Sequence, residues 1–323
     1  MEVQPWTRRL GLGIAVALLS ACSGTLADAP IAREEIDPQV LGSWPMHGGG
    51  EPFSVATYQG YAYVSAGGIQ YVDIRDPKRP RVTGGYPAPA FSRGDIVVSG
   101  RRLYSCQGNG GLVILDLTDP AQPTQVGLFR TDAQTVAADG NRVYVGTSDS
   151  VQFLDVSDVA HPRLFGGWRV PTPQPPVASI AISGRYAYLA APFSGVWIID
   201  ADAVGGPKEF ARIGLSSQLS QPWGVTVAGG LAYVADWQLG LVIFDVSDPS
   251  RPVARGKLAT RSPAVQVVVS GSYAFVCERE DGVEIVDIRD PRRPVSIGRY
   301  DTPGEAWEIN LQGTVACVAD RMA

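Results

Sequence analysis

Residues 240–252 read GLVIFDVSDPSRP, an apolar run that stops at Asp245 and turns at Asp248-Pro249. The pattern returns as GIQYVDIRDPKRP from Gly68, GLVILDLTDPAQP from Gly111, SVQFLDVSDVAHP from Ser150, GVWIIDADAVGGP from Gly195 and GVEIVDIRDPRRP from Gly282. The first aspartates, Asp73, Asp116, Asp155, Asp200, Asp245 and Asp287, are spaced 43, 39, 45, 45 and 42 residues apart. Periods of about 40–45 residues belong to propeller blades. The expected fold class is therefore all-β.

Each unit opens with an apolar strand that ends at a Gly turn, as in Val267-Val268-Val269-Ser270-Gly271. A second strand follows, carrying an aromatic at one fixed place: Tyr63, Tyr104, Tyr144, Tyr188, Tyr233 or Phe275. The Gly turn lets the chain reverse tightly, so these two strands form a hairpin. The GLVIFD element is the third strand, and its continuous apolar run suits burial between neighbouring sheets. A short fourth strand comes after the Asp-Pro turn. Four antiparallel strands per unit, arranged radially, make a propeller blade. The recurring Asp and Ser-Asp-Pro residues need only a turn role, since Asp and Ser bond nearby amides and Pro fixes φ.

The ends of the chain suggest how the ring closes. Residues 307–311 and 315–320 repeat the first two strands of a blade, after which a third strand is due but the chain stops at Ala323. Residues 40–44, after Asp37-Pro38, match the outer-strand segment 296–300. The expectation is a seven-bladed propeller over 36–323 whose last blade is closed by both termini and lacks one strand. A six-bladed ring with frayed ends is the alternative.

GLVILDLTDP, GLVIFDVSDP and GVEIVDIRDP, with Tyr233-Val234-Ala235-Asp236, resemble the LVIVD-repeat family of bacterial and archaeal surface β-propellers. The resemblance covers about residues 37–323. It implies the fold and a surface location, and supplies no catalytic residues. The unit at Gly195 departs from it, with Ala201-Asp202-Ala203 in place of Ser-Asp-Pro.

Residues 1–21 read as a lipoprotein signal peptide. Arg8 and Arg9 precede a ten-residue apolar core, 10–19, too short to span a bilayer as a helix. Leu19-Ser20-Ala21-Cys22 resembles the bacterial lipobox, which implies cleavage before Cys22 and lipidation of its sulfur. An ordinary cleavage site after Ala21 or near Ala27 is the alternative; Arg8-Arg9 also suggests a twin-arginine signal, which Gly11-Leu12-Gly13 follow poorly. Residues 22–35, rich in Ala, Pro and charge, read as a flexible tether. The expected location is the cell envelope, exported and lipid-anchored, with Ser23 pointing to the outer membrane or cell surface.

The formal charge of −5 gives no basis for wrapping a nucleic acid. Cys106, Cys277 and Cys317 form neither a disulfide framework nor a metal-ligand spacing, and read as small buried thiols. Only His47 and His161 are present, without HExxH, a Gly-x-Ser-x-Gly elbow or a Gly-Lys-Ser phosphate loop. Serine triads and His-rich zinc sites are disfavoured.

Loops that escape the repeat are the better candidates for function, because repetition marks what the fold requires. At one channel mouth they bring Trp223, Trp237, Phe193 and Trp307, with Arg93, Asp95, Asp236, Glu278, Arg279 and Glu308. Gln266 and Asp320 fall beside them. Aromatic anchors next to polar groups hold peptides and sugars; the alternative is that the tryptophans cap the channel's packing. No cofactor is expected, with Ca²⁺ on the clustered carboxylates as a minor alternative. The expected function is a non-catalytic surface propeller recognising a protein, peptide or glycan. The contrasting expectation is an extracytoplasmic lyase or hydrolase, and a purely structural role in a surface assembly is third. An enzyme should gather two or more of Asp95, Asp236, Glu278 and Glu308 in one pocket with a perturbed pKa. A binder should show an exposed aromatic patch around Trp223 and Trp237.

Overall fold

The computed structural model describes residues 13–18, 38–45, 51–87, 94–170, 177–214 and 220–321. Six blades follow one another, over residues 54–87, 96–129, 135–168, 179–213, 222–258 and 266–300, each an antiparallel sheet of four strands in chain order. The hairpin turns fall where the sequence places them. Gly271, between the first two strands of the sixth blade, has φ 57°, a conformation that strains any residue with a Cβ.

The expectation of seven blades, the last short of a strand, is corrected. The blades made of one continuous stretch number six. The remaining place in the ring holds a composite sheet: Glu305–Gln312 innermost, then Val315–Arg321, then Gly13–Leu18, with Gln39–Pro45 outermost. The outer strand lies where the match to 296–300 puts it. The third strand comes from the stretch read as a leader; it pairs antiparallel with both neighbours, Val16 opposite Cys317 on one side and Gly42 on the other. Two facing strand edges carry rows of backbone N–H and C=O groups that need partners, and an extended segment between them satisfies both rows.

The Asp-Pro turns are scaffold. Asp116 Oδ1 accepts the Thr118 amide at 2.7 Å, and Asp119 Oδ1 accepts the Ala121 amide at 3.0 Å. Asp245 and Asp248 do the same for Ser247 at 2.9 Å and Ser250 at 3.0 Å. Each turn also bears on the preceding blade. A Cβ on Gly256, in the outer strand of the fifth blade, would lie 2.3 Å from the carbonyl oxygen of Pro291 in the sixth blade's turn. Gly127 stands in the same relation to Val159, at 2.0 Å. In all six blades the outer strand pairs with a register shift. Such bulges bend the outer strand and increase its local twist.

The core lies between blades. The fixed aromatics Tyr63, Tyr104, Tyr144, Tyr188, Tyr233 and Phe275 are all buried. Between the third and fourth blades, Tyr144 and Phe153 pack against Ala187, Leu189 and Ile199. The Tyr63 hydroxyl crosses to the next blade and donates to the Pro120 carbonyl at 2.8 Å. Among the described residues, no helix is long and apolar enough to cross a membrane.

Candidate functional site: the channel cavity and its rim

The innermost strands line the channel, and one position in each supplies a ring. Ser54, Asp95, Thr135, Ser179, Gly224, Gln266 and Glu308 are paired, respectively, with Ser65, Cys106, Gly146, Ala190, Ala235, Cys277 and Ala319 on the second strands. The partner is always small. The ring side chains clasp neighbouring blades. Ser54 Oγ accepts the Ile96 amide at 3.0 Å, Asp95 the Val136 amide at 3.1 Å, and Ser179 Oγ the Val225 amide at 3.3 Å. Gln266 Oε1 accepts the Ile309 amide at 2.6 Å. Glu308 takes the Val55 amide, so the composite sheet is clasped to the first blade by the same device. Thr57 Oγ1 adds a 2.6 Å bond to Asn310 Oδ1 across that junction.

A cavity of about 370 Å³ opens on this ring, walled by Asp95, Thr135, Ser179, Gln266 and Glu308, with Gln134, Val177, Pro192 and Val265. Phe53, Trp223 and Trp307 stand at its edge. Asp95 and Glu308 flank Ser54. The Ser54 hydroxyl donates to Asp95 Oδ1 at 3.0 Å, and the Thr135 hydroxyl donates to Oδ2 at 2.9 Å. Desolvation holds both carboxyls above the ordinary carboxylate range, Glu308 well above, and the Asp95 charge raises Glu308 further. Behind the ring, burial raises the Cys106 and Cys277 thiols well above the ordinary value and pushes Cys317 up to about 12. These are inert thiols.

The rim is a stack of aromatics and guanidinium groups. Trp223 lies 5.6 Å from Trp237 and 6.2 Å from Trp307 between ring centroids. Arg279 sits over Trp237 at 5.0 Å and Trp307 at 5.4 Å, while Arg321 sits 3.9 Å from Trp307 and 4.0 Å from Phe53. Glu305 anchors the stack, taking Arg279 at 2.5 Å and the Trp307 indole N–H at 3.0 Å. Arg279 is held at φ 36°, a strained conformation for a residue with a side chain.

The repeats match the LVIVD repeat family over residues 49–87, 92–131, 131–169, 176–202, 221–260 and 263–302, most of the chain. The chain belongs to that family. A search of curated proteins finds no match. Among solved structures, this LVIVD propeller is similar to a protein from Lactobacillus plantarum, with 13% identity and TM-score 0.70, covering 91% of this chain and 98% of that one. It is also similar to BamB from Moraxella catarrhalis, with 16% identity and TM-score 0.57, over 93% and 97% of the two chains. Sqt1 from Saccharomyces cerevisiae shares 9% identity at TM-score 0.58, over 85% and 97%. At these identities the likeness concerns the fold.

Of the candidates read from the sequence, Asp95, Glu308, Trp223 and Trp307 meet at the cavity of the LVIVD propeller, with Trp237 and Arg279 stacked behind them. Phe193 stands apart, 54% exposed at φ 65° beside the cavity residue Pro192. Arg93 and Cys22 lie outside the described residues. Asp236 and Glu278 are buried away from the opening, where they tie down the preceding inter-blade loop. Asp236 takes the Ser220 hydroxyl at 2.7 Å and the amides of Gln238 and Leu239, both at 2.9 Å. Glu278 takes the Arg261 amide at 3.1 Å, and shares Arg299 with Glu284 through bonds of 2.6 and 2.7 Å. Asp320 takes the Gly304 amide at 3.0 Å in the same way. Among the described residues, no three His, Cys, Asp or Glu side chains come together to hold a metal ion.

Ser54 in the ring, and Thr135, Ser179 and Phe53 at the cavity, are residues that no motif points to. A signal for the first three exists in the sequence: each pairs with the column of small residues Ser65, Gly146 and Ala190.

Proposed function

We propose that this LVIVD propeller is a non-catalytic binding protein that captures a protein, peptide or glycan partner at the channel mouth. The observation that carries the reading is the 370 Å³ cavity, which opens at a ring of unlike polar residues beneath an aromatic edge. A rigid cavity with a few convergent polar groups is the general form of a recognition site. Exposed Phe193 extends that surface outward. Trp223 and Trp237 are only partly exposed and are stacked against each other and Arg279, so they shape the rim more than they offer open faces.

Asp95 and Glu308 favour a second reading, since two carboxyls with raised pKa values in one pocket is what a hydrolase or lyase requires. Their existing bonds weigh against it. Asp95 already accepts from Ser54, Thr135 and Val136, and Glu308 from Val55, which makes both into blade clasps. The deciding experiment is binding of the chain to arrays of envelope proteins, peptides and glycans, with W223A/W307A as control. Specific binding lost in the control supports recognition; turnover of any array member, lost in E308Q, overturns it.

Export and lipidation at Cys22 belong to this proposal, with the envelope as the site of action. They carry a structural consequence. Cleavage before Cys22 removes Gly13–Leu18 and with it the third strand of the composite sheet. Intact mass of the protein from its host separates the two fates: a chain beginning at a lipidated Cys22 supports anchoring, and one retaining residues 13–18 overturns it.

A further inference from the structure

We propose that the cavity receives a primary ammonium group on an alkyl chain, as a lysine side chain of the partner carries, with Asp95 and Glu308 as its counter-charges. This rests on the binding reading of the same site.

The wall is one-sided in charge. Among the described residues its ionisable groups are Asp95 and Glu308, on either side of Ser54 in the ring, and none of the described lining residues is Lys or Arg. Arg279 and Arg321 at the rim are stacked on the lining residue Trp307. The groups facing the two acids from the second strands are Cys106 and Cys277, both neutral thiols. Val177, Ala178 and Pro192 on the fourth blade, with Val265 beside Gln266, supply apolar lining. An alkyl chain ending in a cation matches that division, and Gln134 and the Ser179 hydroxyl add neutral polar groups to the same wall.

Other occupants fit less well. A sugar needs an open aromatic face, and Trp307 is covered by Arg321 and Arg279. A divalent cation needs several oxygen ligands, but both Asp95 oxygens already accept hydrogen bonds, and no third acid is among the described lining residues.

Protons follow from the geometry. Burial and the Asp95 charge hold Glu308 well above the ordinary carboxylate range, against the opposing pull of its bonds to Ser54, the Val55 amide and Gln266. An arriving ammonium offsets both the burial and the Asp95 charge, Glu308 ionises, and its proton leaves to solvent. Affinity therefore rises with pH.

The test is calorimetry on the full chain with two probes, N-acetyl-lysine methylamide and N-acetyl-norleucine methylamide, which differ in the ammonium. Repeating it in buffers of different ionisation enthalpy measures proton release. The expected result is a preference of about ten-fold or more for the lysine probe, release of a proton, and affinity that climbs as pH rises above the ordinary carboxylate range. E308Q and D95N should each abolish the preference for the lysine probe. Equal binding of both probes overturns the proposal, as does an undiminished preference in both variants. If either variant fails to fold, the wild-type pH profile and proton release decide. Array binding that depends on Trp223, with no lysine preference, sinks this inference alone; silence of arrays and probes sinks the binding reading as well. A short free alkylamine that binds as tightly as a lysine-containing peptide assigns the site to a small amine in place of a partner side chain.

Discussion

The outer edge of the ring and its inner wall are built by opposite rules. At the outer edge the same residue does the same job in every blade: Asp73, Asp116, Asp155, Asp200, Asp245 and Asp287 each accept the amide two residues on. At the inner wall, seven equivalent positions hold Ser, Asp, Thr, Ser, Gly, Gln and Glu, yet most still accept an amide from the adjoining blade. The clasp needs only an acceptor of suitable reach, so many residue types satisfy it. The inner wall can therefore change its chemistry without dismantling the ring.

The sharpest way to break the comparison is at the outer bearing. G256V places a side chain against the Pro291 carbonyl, where even a Cβ would come within 2.3 Å. A loss of about 3 kcal/mol or more is expected, read by denaturant unfolding. Wild-type stability would show that blades slide past one another freely.

The loop anchor beside the rim gives a pH signature. Burial and the neighbouring Glu284 push Glu278 up to about 8, against an ordinary value of 4.5. Between those values the folded chain holds a proton on Glu278 that the unfolded chain has released, so this group's contribution to stability is full below about pH 4.5 and is lost as pH rises toward 8. E278Q, which keeps a donor toward Glu284, should flatten that slope in unfolding measured across the window. An unchanged slope would show that Glu278 is ionised in the fold.

At the inner wall, S54A removes the acceptor of the Ile96 amide and a donor to Asp95 at once. A cost of about 1–2 kcal/mol is expected, with Asp95 less acidic once the Ser54 donor that lowers it is gone, as carboxyl chemical shifts will report. The smallest effect belongs to a single outer turn. D116A loses the bond to the Thr118 amide at an exposed site, and about 1 kcal/mol or less should follow in a thermal melt. If D116A costs more than S54A, the turns carry more of the fold than the channel wall does.

Much of this was open to reading in the sequence. The Gly turns, the aromatic column and the Asp-Pro turns are local devices, and their bonds span a few residues. The outer strand 39–45 was legible for the same reason. The candidate site was half legible. Trp223, Trp307, Asp95 and Glu308 meet at the cavity because they break the repeat, while Asp236 and Glu278 break it as well and turn inward as loop anchors. A side chain's direction depends on which neighbour's amide is unpaired, and sequence alone does not carry that.

By itself the sequence determined the blade, because a period of about 40–45 residues with hairpin signals admits one supersecondary unit. Tertiary structure decided how the ring closes and what the channel holds. Gly13–Leu18 enters the composite sheet through backbone pairing alone, which any extended segment can supply. Asp95 and Glu308 come together across Ser54 from strands more than two hundred residues apart, because closing the ring makes the first and last sheets neighbours.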